Sequence, residues 1–342
     1  EAASRADGGP SGIDAATPLG ALGAAAAIAL RLQGGSAEAR VGSGGGLGTI
    51  GNTALLAEID IDGSATADAS LAGTRGDVVD TGAGTALAYA LGSTTTDAEI
   101  AGFVAAGGNV TVRAGMAVGD SGPSAQRSTL TAEAISGASA DDLAVGGSVA
   151  IADAAFDAIA RIGDAATVIG NTVTLAAQSQ TRADATATAD ATAGTAGSGI
   201  GVGLSFALAH SHGSETADLG NVEIVRAHTL TLGANGDHIA DATAEAGTSG
   251  GYIGAAPAFA VIAAADHALA STGTGSDLFG IDNLVVTATD VLDASGSATA
   301  LDASGIAAGA AVTFAAVDDT ADAILARDVT AGGRVTGAAR ET

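Results

Sequence analysis

Along most of this chain apolar and polar positions alternate with a period of two, the spacing of a strand that buries one face. The clearest run is Gly203 to Ala209, Gly-Leu-Ser-Phe-Ala-Leu-Ala, in which two larger apolar residues stand two apart. Phe206 and Leu208 of that run correspond to Ile28 and Leu30, Leu87 and Tyr89, Val149 and Ile151, Phe259 and Val261, and Val312 and Phe314. The copies recur about every 53 to 62 residues, a period that marks an array rather than a conventional domain.

Each copy carries further parts in a fixed order. The third opens on a Gly-rich turn (Val145, Gly146, Gly147) and a strand (Val149, Ile151), followed by a second apolar anchor at Ile162. A turn at Gly170-Asn171 then leads into the strand Val173-Thr174-Leu175, and a long small-residue strand, Ala183 to Ala196, ends the unit. The second anchor lies at the same distance past the ladder in Val41, Ile100, Ile162, Leu219 and Leu325, with Thr272 the exception. Asn52, Asn109 and Asn171 precede the third strand after a glycine, where a tight turn favours a residue that tolerates positive φ. Alanine occupies one face of the small-residue strands, and threonine, serine and aspartate the other.

Such a pattern predicts an all-β parallel β-solenoid (β-helix) of six imperfect repeats of about 55 residues, since stacking like on like buries a face that no single unit buries alone. Residues 1–18 read as an irregular lead-in or the end of a preceding repeat, and 19–342 as a continuous array with units beginning near 19, 79, 143, 200, 253 and 306. The four parts of a unit do not resemble one another, which favours one wide coil per repeat; antiparallel hairpins inside each repeat are the alternative. The residue before the second anchor reads Arg40, Glu99, Arg161, Asp218, so stacking in register places opposite charges side by side.

Composition sharpens the picture. Of the 342 residues 52 are glycine, none is cysteine or tryptophan, and only 2% are aromatic. Alanine makes up most of the apolar fraction, so the expected interior is two sheets in close approach rather than a thick oily core. Positive mean hydropathy and strict alternation argue against disorder. Absence of cysteine excludes thiol chemistry and fits an exported protein. Neither a signal peptide nor a membrane span is expected: Glu1 to Gly9 is polar, and Leu19 to Leu32 is short, aligns with the other copies and reads as strand. The pattern runs to both ends, so the chain reads as a piece of something longer.

The formal charge is −26, from 38 acidic and 12 basic residues, all of the latter arginine. No surface of that kind neutralises phosphates, so nucleic acid is not an expected partner. Self-association, end to end or lateral, is, because terminal strands leave unpaired edges.

Gly-Val-Gly-Leu-Ser-Phe-Ala-Leu-Ala (201–209), Asp-Val-Thr-Ala-Gly-Gly-Arg-Val-Thr (328–336) and Ala-Gly-Gly-Asn-Val-Thr-Val-Arg-Ala (106–114) resemble the repeats of very large bacterial surface proteins, the filamentous haemagglutinin and leukotoxin-like filamentous adhesin group. That resemblance implies an extracellular or cell-surface fibre with a role in adhesion, spacing or matrix assembly, and no catalytic residues to carry over. The extreme acidity and the lack of lysine depart from the group.

No catalytic or cofactor-binding constellation emerges. His210 and His212 share a strand face, with Glu215 close behind, and that geometry can serve a transition metal. His228, His238 and His267 are scattered and read as surface residues. Asp60, Asp62, Asp318 and Asp319 form acidic pairs that suggest calcium as a cofactor, but neither an EF-hand nor a calcium β-roll spacing is present. The glycines at 44–48 and 250–251 lack the helix or lysine of a phosphate cradle. Lyase-type catalysis needs converging charges and aromatic platforms that are missing, so an enzyme is not expected. Thr186-Ala187-Thr188 and Thr229-Leu230-Thr231 have the form of ice-binding ladders, but other copies break the columns. The expectation is a rigid acidic structural segment; the alternative is a binding module for ice, carbohydrate or calcium on a flat face.

Overall fold

The computed structural model describes residues 2–7, 22–72, 80–116, 127–194, 198–222 and 224–342. The expected unit starts at 19 and 79, and the end of the small-residue strand at 195–196, lie outside these. The described chain is all-β, without helix. Its strands are β1 (Ala2–Asp7), β2 (Leu22–Val41), β3 (Gly46–Thr49), β4 (Thr53–Glu58), β5 (Gly63–Ala72), β6 (Thr81–Ile100), β7 (Phe103–Ala106), β8 (Val110–Gly115), β9 (Ser128–Ala140) and β10 (Leu143–Ile162). The chain continues through β11 (Thr167–Ala193), β12 (Ile200–Leu219), β13 (Ile224–Gly250), β14 (Ile253–Ser271), β15 (Leu278–Asp290), β16 (Leu292–Ala303), β17 (Ile306–Ile324), β18 (Val329–Ala331) and β19 (Val335–Glu341).

Two sheets form. One has six strands in the order β17-β14-β12-β10-β6-β2, and the other has thirteen, with β1-β5-β9-β11-β13-β15-β18 as its main path. Every pairing is parallel, which removes the hairpin alternative. Corresponding residues of successive sequence copies pair: Leu30 with Tyr89, Tyr89 with Ile151, Ile151 with Leu208, Leu208 with Val261, and Val261 with Phe314. Ala2–Asp7, inside the expected lead-in, pairs with Gly63–Asp68 as a strand of the larger sheet.

Arg40, Glu99, Arg161 and Asp218 stand in one column as the sequence suggests. Glu99 is paired from both sides, 2.6 Å from Arg40 Nη2 and 3.1 Å from Arg161 Nε. Asp218 feels the Arg161 charge too, although burial is the larger influence and raises its pKa.

The interior is a wedge. At its thin edge a Cβ on Gly84, Gly146 or Gly203 would lie 2.2, 2.5 or 2.4 Å from a carbonyl oxygen of the facing sheet. That brings the backbones well inside the roughly 10 Å spacing of ordinary stacked sheets. Val145, Gly146 and Gly147 are therefore strand rather than turn, and the glycines serve close approach. Next comes a slab of alanines, including Ala88, Ala150, Ala185, Ala207 and Ala242. At the thick edge the anchors Ile100, Ile162 and Leu219 meet Val112, Leu175, Leu232 and Phe156 in a conventional aliphatic core. The expectation of a thin interior thus holds across the glycine and alanine columns and fails at this edge.

The larger ladder residues face outward, and the alanines between them face in. Ala29 is 1% exposed, whereas Ile28 is 68% and Leu30 55%. With sheets this close only alanine fits inside, so the bulkier partners of the alternation take the outer face, where Leu87, Leu204, Phe259, Val312 and Phe314 are also exposed. Nor do the asparagines adopt positive φ; Ala165, at 58°, is the one described non-glycine residue that does. Asn52 instead works across layers, its Oδ1 accepting the Asn109 N–H at 2.9 Å.

Candidate functional site

Where the alanine slab meets the aliphatic edge, the inward-facing columns change character. On the six-stranded sheet one column reads Thr94, Phe156, Gly213, Asp266, Asp319. Phe156 fills the interior in its own layer, and Gly213 leaves the next layer open. Facing this space from the thirteen-stranded sheet are Ser179 and Thr181 on β11 and Gly236 and His238 on β13, with Asp290 ending β15. Glu215 on β12 and Asp266 on β14 come from the other side.

Alternation alone places these groups inside: Glu215 lies two residues from Ala217 on the buried face of β12, and Asp266 between Ala264 and Ala268 on that of β14. Glu215, His238 and Asp290 are fully buried, and Asp266 is 2% exposed. One ligand-capable atom from each of Glu215, His238 and Asp290 lies within 4.8 Å of the others. Two glycines make the room. A Cβ on Gly213 would sit 2.4 Å from the His238 ring, and one on Gly236 would sit 2.4 Å from Asp290 Oδ1 and 2.8 Å from His238 Nε2.

Hydrogen bonds orient the imidazole. Thr181 Oγ1 is 2.7 Å from His238 Nδ1, so Nδ1–H donates to that hydroxyl and Nε2 is the nitrogen turned toward Glu215. Glu215 Oε1 lies 3.5 Å from Nε2 and accepts a bond from Ser179 Oγ. Glu215 Oε2, both oxygens of Asp266, both of Asp290 and Oδ1 of Asp319 are buried without a hydrogen bond of normal geometry. The Gly213 N–H approaches Asp266 and only partly offsets the effect of burial on it.

The electrostatics follow from this crowding. Burial alone would pull the His238 pKa down, but the Glu215 bond and the charges of Glu215, Asp266 and Asp290 outweigh it and hold the imidazole at about 9. Desolvation pushes Asp266 up to about 6 against the pull of His238. Asp290 is raised further, by burial and then by Glu215, and Asp319 is raised mainly by burial. Four carboxyl groups thus share one basic partner, a set of oxygens and one nitrogen able to hold a divalent cation.

The residues singled out from sequence lie mostly elsewhere. His210 and His212 do share the outer face, but Glu215 belongs to the opposite one, so the three do not form a site. His210 Nδ1 is 2.7 Å from Asp153 Oδ1, whose hydrogen bond raises the histidine pKa, and His212 Nδ1–H donates to the Ala265 carbonyl at 2.9 Å. Asp60 Oδ1 accepts Ser128 Oγ at 3.1 Å and Asp62 Oδ1 accepts the Thr129 N–H at 2.9 Å, so both tie down the start of β9. Asp318 is exposed on β17, while Asp319, beside it, turns inward to the cluster. His228 and His267 are exposed, bonded to Asp282 and Thr320 of the adjoining layer. His238 is not a surface residue; inward parity within its strand was the signal that its wide spacing from other histidines concealed. Comparison with protein-family models, with curated proteins and with solved structures finds no match to this chain.

Proposed function

We propose that this chain is a parallel β-solenoid segment with a structural role, a stiff acidic element of an exported bacterial surface or fibre protein. The observation that carries the reading is the residue-for-residue pairing of successive copies across the six-stranded sheet, with Tyr89, Ile151, Leu208, Val261 and Phe314 in one column. Each layer then serves as the template for the next. Six layers at roughly 4.8 Å give a stack about 29 Å high, and 20-residue strands at roughly 3.3 Å per residue give a width of about 66 Å. Resemblance of the repeat phrases to filamentous haemagglutinin-type proteins and the absence of cysteine support an exported setting.

Lateral assembly belongs to the same reading. The first half of five of the six strands turns Ile28, Leu30, Leu87, Leu204, Phe259 or Phe314 to solvent, and β10 between them turns out the half-buried Val149 and Ile151. About ten residues by six strands is a flat face of roughly 950 Å², comparable to the roughly 800 Å² per partner of a stable interface. A second copy of this chain is the occupant that such a self-similar face fits.

Solution scattering combined with sedimentation over a concentration series tests the proposal. Slab dimensions near those above, association that rises with concentration and weakens in Leu204→Lys, and no effect on ice recrystallisation or a glycan array are expected. A glycan or ice activity lost on substitution of the acidic face would replace the structural role with a binding one.

A further inference from the structure

We propose that Glu215, His238 and Asp290 bind one divalent transition-metal cation of the zinc class between the two sheets. Acidic residues in proximity are common and by themselves mean little. Here, however, Asp290 and Asp266 are at least 98% buried, and each leaves both carboxylate oxygens without a hydrogen bond of normal geometry. Burying a charge in that state is costly unless it is paired or coordinates a metal.

The space and the donor chemistry agree. Gly213 replaces the Phe156 of the preceding layer, and a Cβ there or at Gly236 would invade the volume in front of His238 Nε2. A tetrahedral ion with bonds of about 2.0–2.2 Å needs ligand atoms roughly 3.3–3.6 Å apart. The 3.5 Å between Glu215 Oε1 and His238 Nε2 meets that. Thr181 takes the other ring nitrogen at 2.7 Å, the outer-sphere bond that fixes the tautomer of a ligating histidine. An imidazole among carboxylates favours a first-row transition cation over calcium, which takes oxygen ligands almost exclusively. The donors come from β12, β13 and β15, so a bound ion ties both sheets together across neighbouring layers.

The test is direct metal analysis of the purified chain after stripping with a chelator and titration with Zn²⁺, alongside its unfolding midpoint. One zinc per chain, retained through gel filtration and raising the midpoint, is expected. Asp290→Asn and Glu215→Gln keep the volume and, as losses of direct ligands, should each weaken zinc binding by at least the roughly 10- to 100-fold that loss of an outer-sphere partner costs. The metal-free midpoint of Asp290→Asn should stay level or rise, because Asp290 leaves both carboxylate oxygens without a normal hydrogen bond, and that separates lost binding from lost folding. His210→Gln and His212→Gln on the outer face should leave uptake unchanged. A wild-type chain that takes up no zinc even when refolded in its presence overturns the proposal. So does uptake that survives Asp290→Asn and Glu215→Gln but disappears with the outer histidines.

Discussion

Replacing one glycine by alanine at two places should change stability in opposite directions. Gly203 and Gly48 both lie in strands and neither has a positive φ, so alanine is conformationally acceptable at each. Fewer unfolded conformations then favour the alanine variant by about 0.4–1 kcal/mol at either site. At Gly48 nothing lies within 4 Å of the added Cβ, so that gain stands. At Gly203 the Cβ would lie 2.4 Å from the Gly247 carbonyl oxygen, 3.2 Å from the Gly247 nitrogen and 3.3 Å from the Ala189 carbonyl oxygen. All three are backbone atoms of β13 or β11, strands paired on both edges, so relief requires the sheets to separate locally. Overpacking of that kind costs about 1–3 kcal/mol, which exceeds the entropic gain and leaves Gly203→Ala about 1–2 kcal/mol less stable. Urea unfolding followed by far-ultraviolet circular dichroism measures both variants against the parent. Equal stabilisation by the two substitutions would mean that the sheets do not meet at the thin edge, and the wedge would be wrong.

Three further outcomes follow from the same coordinates. Phe156→Ala empties a fully buried site in the thick edge and should cost about 3–5 kcal/mol in the same unfolding measurement. Glu99→Gln leaves Arg40 and Arg161 without the acid between them; because Glu99 is buried but both arginines are half-exposed, a loss of about 1–2 kcal/mol is expected, smaller in 1 M salt. The metal-free protein should lose stability as pH rises from 4 to 9. Asp266 keeps its proton up to about 6 in the folded state, and His238, raised from 6.5 to about 9, contributes fully below pH 6.5 and not above 9. The folded chain therefore holds more protons throughout that window, and each extra proton gives a slope of at most about 1.4 kcal/mol per pH unit. Unfolding in chelator at pH 5, 7 and 9 measures this, Asp266→Asn should flatten the lower half, and a profile that rises with pH would refute it.

The frame of the fold was readable from the period and phase of the sequence because both are local. Six copies with two larger residues two apart predict parallel pairing, and the opposite charges at Arg40, Glu99 and Arg161 predict the register. Which face is inner was harder. Size ordinarily sends leucine and isoleucine inside, but glycine and alanine alternate with Ile28, Leu87 and Phe206, and sheets at backbone contact admit only the smaller set. The direction was nonetheless encoded, since Gly82, Gly84, Gly146 and Gly203 share the phase of the alanines, and a position that tolerates no Cβ must be the crowded one.

The buried cluster escaped for the opposite reason: it appears only where the repeat is broken. His210 and His212 attract attention because they are two apart in sequence, whereas Glu215, His238, Asp266 and Asp290 are contributed by four strands and share no motif. What unites them is phase. Glu215, Asp266 and Asp290 each occupy a position that alanine or glycine fills in a neighbouring copy, as Asp266 stands in register with Gly213 and Asp290 with Gly236, while His238 stands in register with Thr181. Between the alanine slab and the aliphatic edge, an acid on the inward face has no water to meet and must find a partner inside. Gly213 and Gly236 are the matching concessions, surrendering side-chain volume where the acids need it. In layered β proteins, therefore, ionisable residues in phase with the small residues deserve more weight than neighbouring histidines, because the columns bring together what the sequence separates by 50 residues or more.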